Sequence, residues 1–382
     1  MINRTIWIEK IERFWRERNI IWLSGVRRSG KTCLCQSFEY AEYFDCELPS
    51  VRRMLEDVES FWKRFNEQYV VLDEIHRLMN PSEVLKIAAD HFPGIRIIAT
   101  GSSTLGASSK FRDTLAGRKR DLWLTPMILE DIACFGNQDI EHRMIHGGLP
   151  PFFLSPQIPE RDFQEWMDSF WAKDIQELFR LEKRASFQRF IELLLMQSGS
   201  IFEATRFASL CEVSRPTIAN YLKVLESTFV MHVIRPYSTR KSAEIISAPK
   251  VYGFDTGFIC YYKGINTLRH DDLGYFWEHI VLNEMFAALQ QRNVQYWRDK
   301  SGHEVDFIIK PRGGNPIAIE CKWSSKAFEP AGMQAFRRRY PEGKNYVVCN
   351  DVERKYEKAY GVLQVEFTGL QELIRELLPK QL

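Results

Sequence analysis

The chain has 382 residues, 45% hydrophobic and 27% charged, which is ordinary globular usage and excludes a disordered or fibrous protein. Its formal net charge of +2 excludes attraction to a polyanion by bulk charge, so any nucleic-acid surface must come from local clusters of Lys and Arg. The length predicts two or three domains, each large enough to bury a core. The eight cysteines form no C-x-x-C pair, and Cys33 and Cys35 lack the spacing of a zinc or redox motif, so reduced thiols are expected. No stretch approaches the roughly 20 apolar residues that cross a bilayer. Residues 1–10 lack the apolar core of a signal peptide. A cytoplasmic protein with no membrane partner is expected.

Residues 20–23 form a short apolar run that ends in a Gly-rich turn, followed by a helix-compatible stretch at 33–43. Residues 69–72 form a second run that ends in two acids. Residues 95–99 form a third, ending in Thr-Gly-Ser-Ser, and 122–124 supply a fourth. Strands of this kind, buried on both faces, predict a parallel sheet covered by helices. From 159 to 198 the pattern is helical, and 201–229 reads as three short helices. Strand-like runs follow at 229–234 and 250–254, then a long helix at 271–291. Strands are predicted at 295–298, 304–309, 317–321 and 346–349. The expected division is 1–155, 156–250 and 251–382.

Gly25, Val26, Arg27, Arg28, Ser29, Gly30, Lys31 and Thr32 fit GxxxxGK[ST] at every fixed position, between a strand and a helix. Such a loop turns backbone N–H groups onto phosphate oxygens, and the helix N-terminus adds partial positive charge. Lys31 is expected on the β- and γ-phosphates of ATP and Thr32 on Mg²⁺. Asp73 would hold the metal and Glu74 would polarise the attacking water. Ser102, or failing it Thr100, is placed to sense the γ-phosphate from the strand between the two motifs. Arg118, in Leu115-Ala116-Gly117-Arg118 after a short helix that follows the third strand, resembles the arginine that AAA-type ATPases supply in trans to a neighbouring subunit's nucleotide; the alternative is a basic surface corner.

Residues 201–230 look like a helix-turn-helix, with Ser214 capping the second helix and Pro216 near its start. Ile218, Leu222 and Leu225 form its apolar face. Arg215, Thr217, Asn220 and Lys223 lie elsewhere, where they could reach a DNA groove, although such modules also serve as protein contacts. Further on, Asp306 lies on one strand and Glu320 and Lys322 share a face of the next. Two carboxylates on adjacent strands, joined by Glu278 from the preceding helix, can hold Mg²⁺, and a lysine beside them can orient water. The alternative is a salt-bridged hairpin.

In order, GxRRxGK[ST], the Asp-Glu strand, TGSS, LAGR, GGLP, a winged helix, Asp255-Thr256-Gly257, EVDFII and IECK resemble a family of bacterial and archaeal AAA-type ATPases. That family carries a C-terminal domain long catalogued as of unknown function, with a restriction-endonuclease-like fold. The residues Asp306, Glu320 and Lys322 are similar to the PD-(D/E)XK nuclease pattern. The resemblance implies an α/β protein with a P-loop AAA-type core, a helical and winged-helix middle and a nuclease-like α/β end. It implies ATP and Mg²⁺ as cofactors, catalytic roles for Glu74, Arg118, Asp306, Glu320 and Lys322, and self-association through Arg118. An ATP-driven DNA-processing protein is the leading expectation. A nucleotide-controlled switch with a protein partner and an ATP-licensed defence nuclease are the alternatives.

Overall fold

The computed structural model describes residues 4–101, 109–158, 160–176, 179, 183–238 and 248–378. Two compact units interleave along the chain: Met1–Ile140, Gly148–Arg184 and Lys223–Val230 form one, and Glu141–Gly147, Ala185–Leu222 and Met231–Leu382 the other.

Among the described residues of the first unit, five strands form one sheet: β1 (Ile20–Ser24), β2 (Glu42–Asp45), β3 (Tyr69–Asp73), β4 (Arg96–Thr100) and β5 (Lys119–Trp123). Their order is β2-β3-β4-β1-β5, and every pair is parallel. β1 lies between β4 and β5 and is buried along its whole length, which explains its uninterrupted run of Ile, Ile, Trp and Leu. Helices cover the sheet. Thr5–Trp15 buries Trp7, Ile11, Phe14 and Trp15, one stripe at helical spacing. Pro81–His91 buries Val84, Leu85 and Ala88 in the same way.

In the second unit β6 (Ser200–Ile201), β7 (Met231–Pro236), β8 (Lys250–Gly253), β9 (Val294–Arg298), β10 (Glu304–Ile309), β11 (Ile317–Lys322), β12 (Asn345–Cys349), β13 (Tyr356–Tyr360) and β14 (Leu363–Thr368) form a mixed sheet. The order is β13-β14-β12-β11-β10-β9-β7-β8-β6. The helix His270–Leu289 lies against β11 and is apolar nearly all round, as a helix buried on most faces must be. Trp277 on it donates from its indole to the Val348 carbonyl at 3.0 Å.

Two local expectations are corrected. The stretch after the phosphate-type loop is helical only over Lys31–Gln36, and Glu42–Asp45 is a strand that continues the sheet through backbone pairing with β3. Residues 201–229 hold two helices, Ala204–Leu210 and Arg215–Ser227, rather than three, because the first residues of the span pair with β8 instead. Ser214 does cap the second helix, accepting from the Thr217 N–H at 3.3 Å, and Ile218, Leu222 and Leu225 are buried. No helix among the described residues is long and apolar enough to cross a membrane.

Candidate functional site

The loop between β1 and the helix Lys31–Gln36 is built on glycine. Gly25 has φ +149° and Gly30 φ +94°, and a Cβ at Gly25 would sit 2.4 Å from the Leu124 carbonyl oxygen. Beneath the loop, buried Arg4 donates to the Ser29 carbonyl at 2.9 Å and pairs with buried Asp131. Asp131 also accepts from the Trp7 indole at 3.2 Å and the Ile128 N–H at 3.0 Å. This anchor fixes the loop to the first helix of the chain.

Lys31 folds back over the loop and donates to the carbonyls of Gly25 and Val26, at 3.0 Å each. Burial pushes its pKa down, opposed by Glu74, Asp174 and Asp73. Thr32 Oγ1 donates to Asp73 Oδ2 at 2.9 Å, and the Tyr43 hydroxyl donates to the same oxygen at 2.6 Å. The other Asp73 oxygen accepts from Thr100, whose hydroxyl in turn accepts from the Glu74 N–H at 3.0 Å. Leu23 pairs with Thr100, and Leu72 with Ala99, so β4 carries Thr100 to the level of both motifs. Thr100 thus occupies the position between them. Ser102 lies outside the described residues.

Glu74 stands at φ +55°, a conformation that an L residue adopts at a cost of about 1–3 kcal/mol and that clusters at functional positions. Burial pushes its carboxyl up, but a hydrogen bond from His76 and the charges of Lys31, His76 and Arg27 outweigh burial and hold it below the ordinary value. The His76 Nδ1 to Glu74 Oε2 distance is 3.0 Å.

These groups face a cavity of about 380 Å³ whose lining includes Lys31, Thr32, Glu74, His76, Lys173 and Asp174. That volume lies within the range for small-molecule sites. The last two residues come from Phe170–Gln176, a π-helical segment. Arg27 Nε meets Asp174 Oδ2 at 3.3 Å, and the Arg27 carbonyl accepts from the Trp166 indole at 2.9 Å. Burial pushes the Asp174 carboxyl up, against the pull of Arg27. Arg28 lies 4.0 Å from Asp162 and 3.9 Å from Glu165. Arg118 does not line this cavity; it makes a two-pronged contact with Asp90, at 2.7 and 3.1 Å.

The residues present fit a phosphate group. Ser29 Oγ is fully buried with no hydrogen-bond partner among the described residues, and Gly25, Gly30, Lys31 and Thr32 of the same loop line the cavity. Lys31 satisfies itself on loop carbonyls, an arrangement that an incoming anion can exchange. Thr32 and Asp73 would hold Mg²⁺, which would neutralise phosphate charge when bound.

The second unit gathers Glu278, Asp306, Glu320 and Lys322 at the middle of its sheet. Asp306 lies where the β9–β10 register shifts between Val305 and Ile308, an irregularity that re-aims side chains. Its Oδ2 accepts from the Cys321 N–H at 2.8 Å. Lys322 Nζ donates to Glu320 Oε1 at 3.0 Å, while Glu320 Oε2 has no hydrogen-bond partner among the described residues. Burial, then Asp306, pushes Glu320 up to about 8 and Glu278 up to about 7. Two residues that the motifs did not mark, Lys250 and Tyr252, complete the cluster. Lys250 pairs with Glu304 and stands 3.8 Å from Glu278, and the Tyr252 hydroxyl donates to Glu278 Oε1 at 2.5 Å. Among the described residues no group of three or more His, Cys, Asp or Glu is arranged to hold a metal ion.

Residues 17–133 match a family model described as an AAA domain. Residues 137–269 and 273–368 match two described as domains of unknown function, DUF8612 and DUF4143. The chain is 25% identical over 338 residues to the uncharacterized protein Rv2008c of Mycobacterium tuberculosis, covering 85% of this chain and 75% of that one. It is 21% identical over 346 residues to an uncharacterized protein of Haemophilus influenzae, covering 81% and 84%. Among solved structures it is similar to the Walker-type ATPase PABY2304 of Pyrococcus abyssi, at 15% identity and a TM-score of 0.45, over 69% of this chain and 96% of that chain. The parallel sheet, its loop and the AAA-domain match define the class: an α/β chain whose first unit has a P-loop ATPase fold.

Proposed function

We propose that the protein binds and hydrolyses Mg-ATP at Gly25–Thr32 and uses the cycle to process DNA. The observation that carries the nucleotide reading is the joining of two motifs far apart in sequence, through the Thr32–Asp73 hydrogen bond, beside a cavity lined by Lys31, Thr32 and Glu74. In this reading Gly25, Arg27, Arg28, Ser29, Gly30 and Lys31 receive the phosphates. Thr32 and Asp73 hold the metal, and Glu74 orients water, its carboxyl kept ionised by His76 and Lys31. Thr100 ties the metal-side acid to the water-side acid. Arg118, engaged by Asp90 in its own chain, serves a neighbouring copy.

The DNA part rests on the helix Arg215–Ser227, where Arg215, Asn220 and Lys223 are exposed opposite a buried apolar face, and on the nuclease-like order of Asp306, Glu320 and Lys322. The test is ATP turnover by the full chain against duplex, forked and four-way DNA, with direct binding measured alongside. Stimulated turnover and salt-sensitive binding are expected. No binding, with turnover indifferent to every DNA, overturns the DNA part and leaves the nucleotide part standing. Turnover at full rate by a strictly monomeric protein removes the trans role of Arg118. Metal-dependent cutting is a separate outcome of the same assay: it would appear as cleavage that Glu320→Ala abolishes while ATPase activity remains, and its absence leaves DNA contact standing.

A nucleotide-controlled switch is the second reading. The Arg27–Asp174 and Arg28–Asp162 pairs favour it, because they tie the phosphate loop to the helical segments at 160–176. Slow turnover with tight nucleotide retention, unmoved by DNA, distinguishes it.

A further inference from the structure

The acidic cluster of the second unit contains its own cation. Lys250 and Tyr252 stand two apart on β8, so their side chains share one face, and both reach Glu278 on the long helix. Lys250 Nζ also pairs with Glu304 and lies 5.6 Å from the centre of the Tyr296 ring. Tyr296 is fixed in turn, its hydroxyl donating to the Ala248 carbonyl at 2.7 Å. Lys250 is only 6% exposed. A long, flexible ammonium side chain is rarely buried unless paired, and here two carboxylates and an aromatic face surround it.

The remaining acids are also engaged. Glu304 has Arg298 3.6 Å from its second oxygen, Glu320 has Lys322, and Asp306 has a backbone N–H. A magnesium ion demands near-octahedral oxygen ligands at about 2.0–2.1 Å. An ammonium held by Glu304 and 3.8 Å from Glu278 competes for the Glu278 lone pairs, and its charge repels a dication from the acids beside it. One unpartnered oxygen, Glu320 Oε2, does not make a cage. The residues present therefore do not fit a resident divalent metal.

We propose that Lys250 is the resident counter-ion of this cluster and excludes a divalent metal from it, so that the second unit engages DNA without metal. This rests on the DNA reading above and narrows it to contact rather than cutting.

The test uses the full chain, free of nucleotide, titrated with Mn²⁺ and followed by the electron paramagnetic resonance of the free ion. Anisotropy of labelled duplex DNA in EDTA is measured in parallel. Wild type is expected to show no Glu320-dependent Mn²⁺ binding below about 1 mM. Lys250→Met gains one Mn²⁺ site, at least about tenfold tighter and lost in the double variant with Glu320→Gln. Lys250→Arg, which keeps the charge, gains none. A wild-type Mn²⁺ site that disappears in Glu320→Gln overturns the proposal. So does a Lys250→Met protein with wild-type circular dichroism that gains no site. If Lys250→Met does not fold, wild type against Glu320→Gln still decides. DNA binding that requires Mn²⁺ also overturns it. Absence of all DNA binding, with the Mn²⁺ results as expected, instead overturns the DNA reading and leaves the assignment of Lys250 intact.

Discussion

The phosphate-type loop of the first unit and the acidic cluster of the second handle buried charge in opposite ways. In the first, the loop residues 25–32 leave a cation on a cavity, where Lys31 rests on two backbone carbonyls, and Ser29 Oγ is buried beside it in the chain with no partner among the described residues. In the second, acids are met by lysines supplied by the same fold, Lys250 to Glu304 and Lys322 to Glu320. A neutral carbonyl is a weak competitor for an ammonium, so a phosphate can displace it. The carboxylate–ammonium pair of Glu304 and Lys250 is already matched, and breaking it leaves an uncompensated charge. The same residue types thus produce a receptor in one unit and a closed network in the other.

The sharpest way to break this comparison is to remove the receptor's cation. Lys31→Ala is expected to lower ATP turnover by at least about 100-fold, read as phosphate release, because the group that stabilises charge on the transferred phosphoryl is gone. Glu74→Gln should reduce turnover by about 10²–10³-fold while Mg-ATP still binds, since only water orientation is lost.

In the closed network the corresponding change appears as stability. Lys250→Met leaves Glu304 and Glu278 without their ammonium and should destabilise the second unit by about 2–3 kcal/mol in metal-free buffer. That is below the usual 3–5 for a fully buried pair because Glu304 is partly exposed. Urea denaturation followed by a probe in the second unit measures it. A loss under 0.5 kcal/mol, on the order of a surface substitution, would show that the pair is not a matched interior one.

How much of this was legible in sequence divides along the same line. The phosphate loop announces itself because glycine at positive φ, a lysine and a Thr must be neighbours in the chain for the loop to work. The strands at 304–309 and 317–322 were legible from their apolar runs, and Asp306, Glu320 and Lys322 from side-chain alternation along them and from their similarity to a nuclease pattern. Arg4, Asp174 and Lys250 were not, because each acts on a partner about 25 to 150 positions away and sequence spacing says nothing of that. A signal existed for one of them: Lys250 is a charged residue in a four-residue strand that is otherwise Val, Tyr and Gly and buried throughout. The edge strand β13 was missed for the opposite reason, since Tyr356–Tyr360 is exposed and carries charges that suit a sheet edge and resemble a loop.

The pH response sharpens the contrast further. Glu278 and Glu320 are pushed up, toward about 7 and 8, from an ordinary value of 4.5. Between those values the folded unit holds protons that the unfolded chain has released. Stability of the second unit therefore falls as pH rises from about 4.5 to about 8, by at most about 1.4 kcal/mol per pH unit for each group. Denaturation midpoints across that range check it, and Glu278→Gln should flatten the slope.

The smallest expected effect lies in the first unit. Asp174 places a carboxylate against Arg27 in the cavity where phosphate is proposed to bind. Asp174→Asn should tighten nucleotide binding by about three- to tenfold, because a competing anion is removed while the shape is kept. Weaker binding would mean that Asp174 instead positions Arg27 for the ligand.

The most direct measurement is calorimetric titration of the nucleotide-free full chain with Mg-ATP. One site per chain is predicted, with its heat abolished in Lys31→Ala. No heat from the wild type, or equal heat from the variant, would contradict a phosphate receptor at Gly25–Thr32.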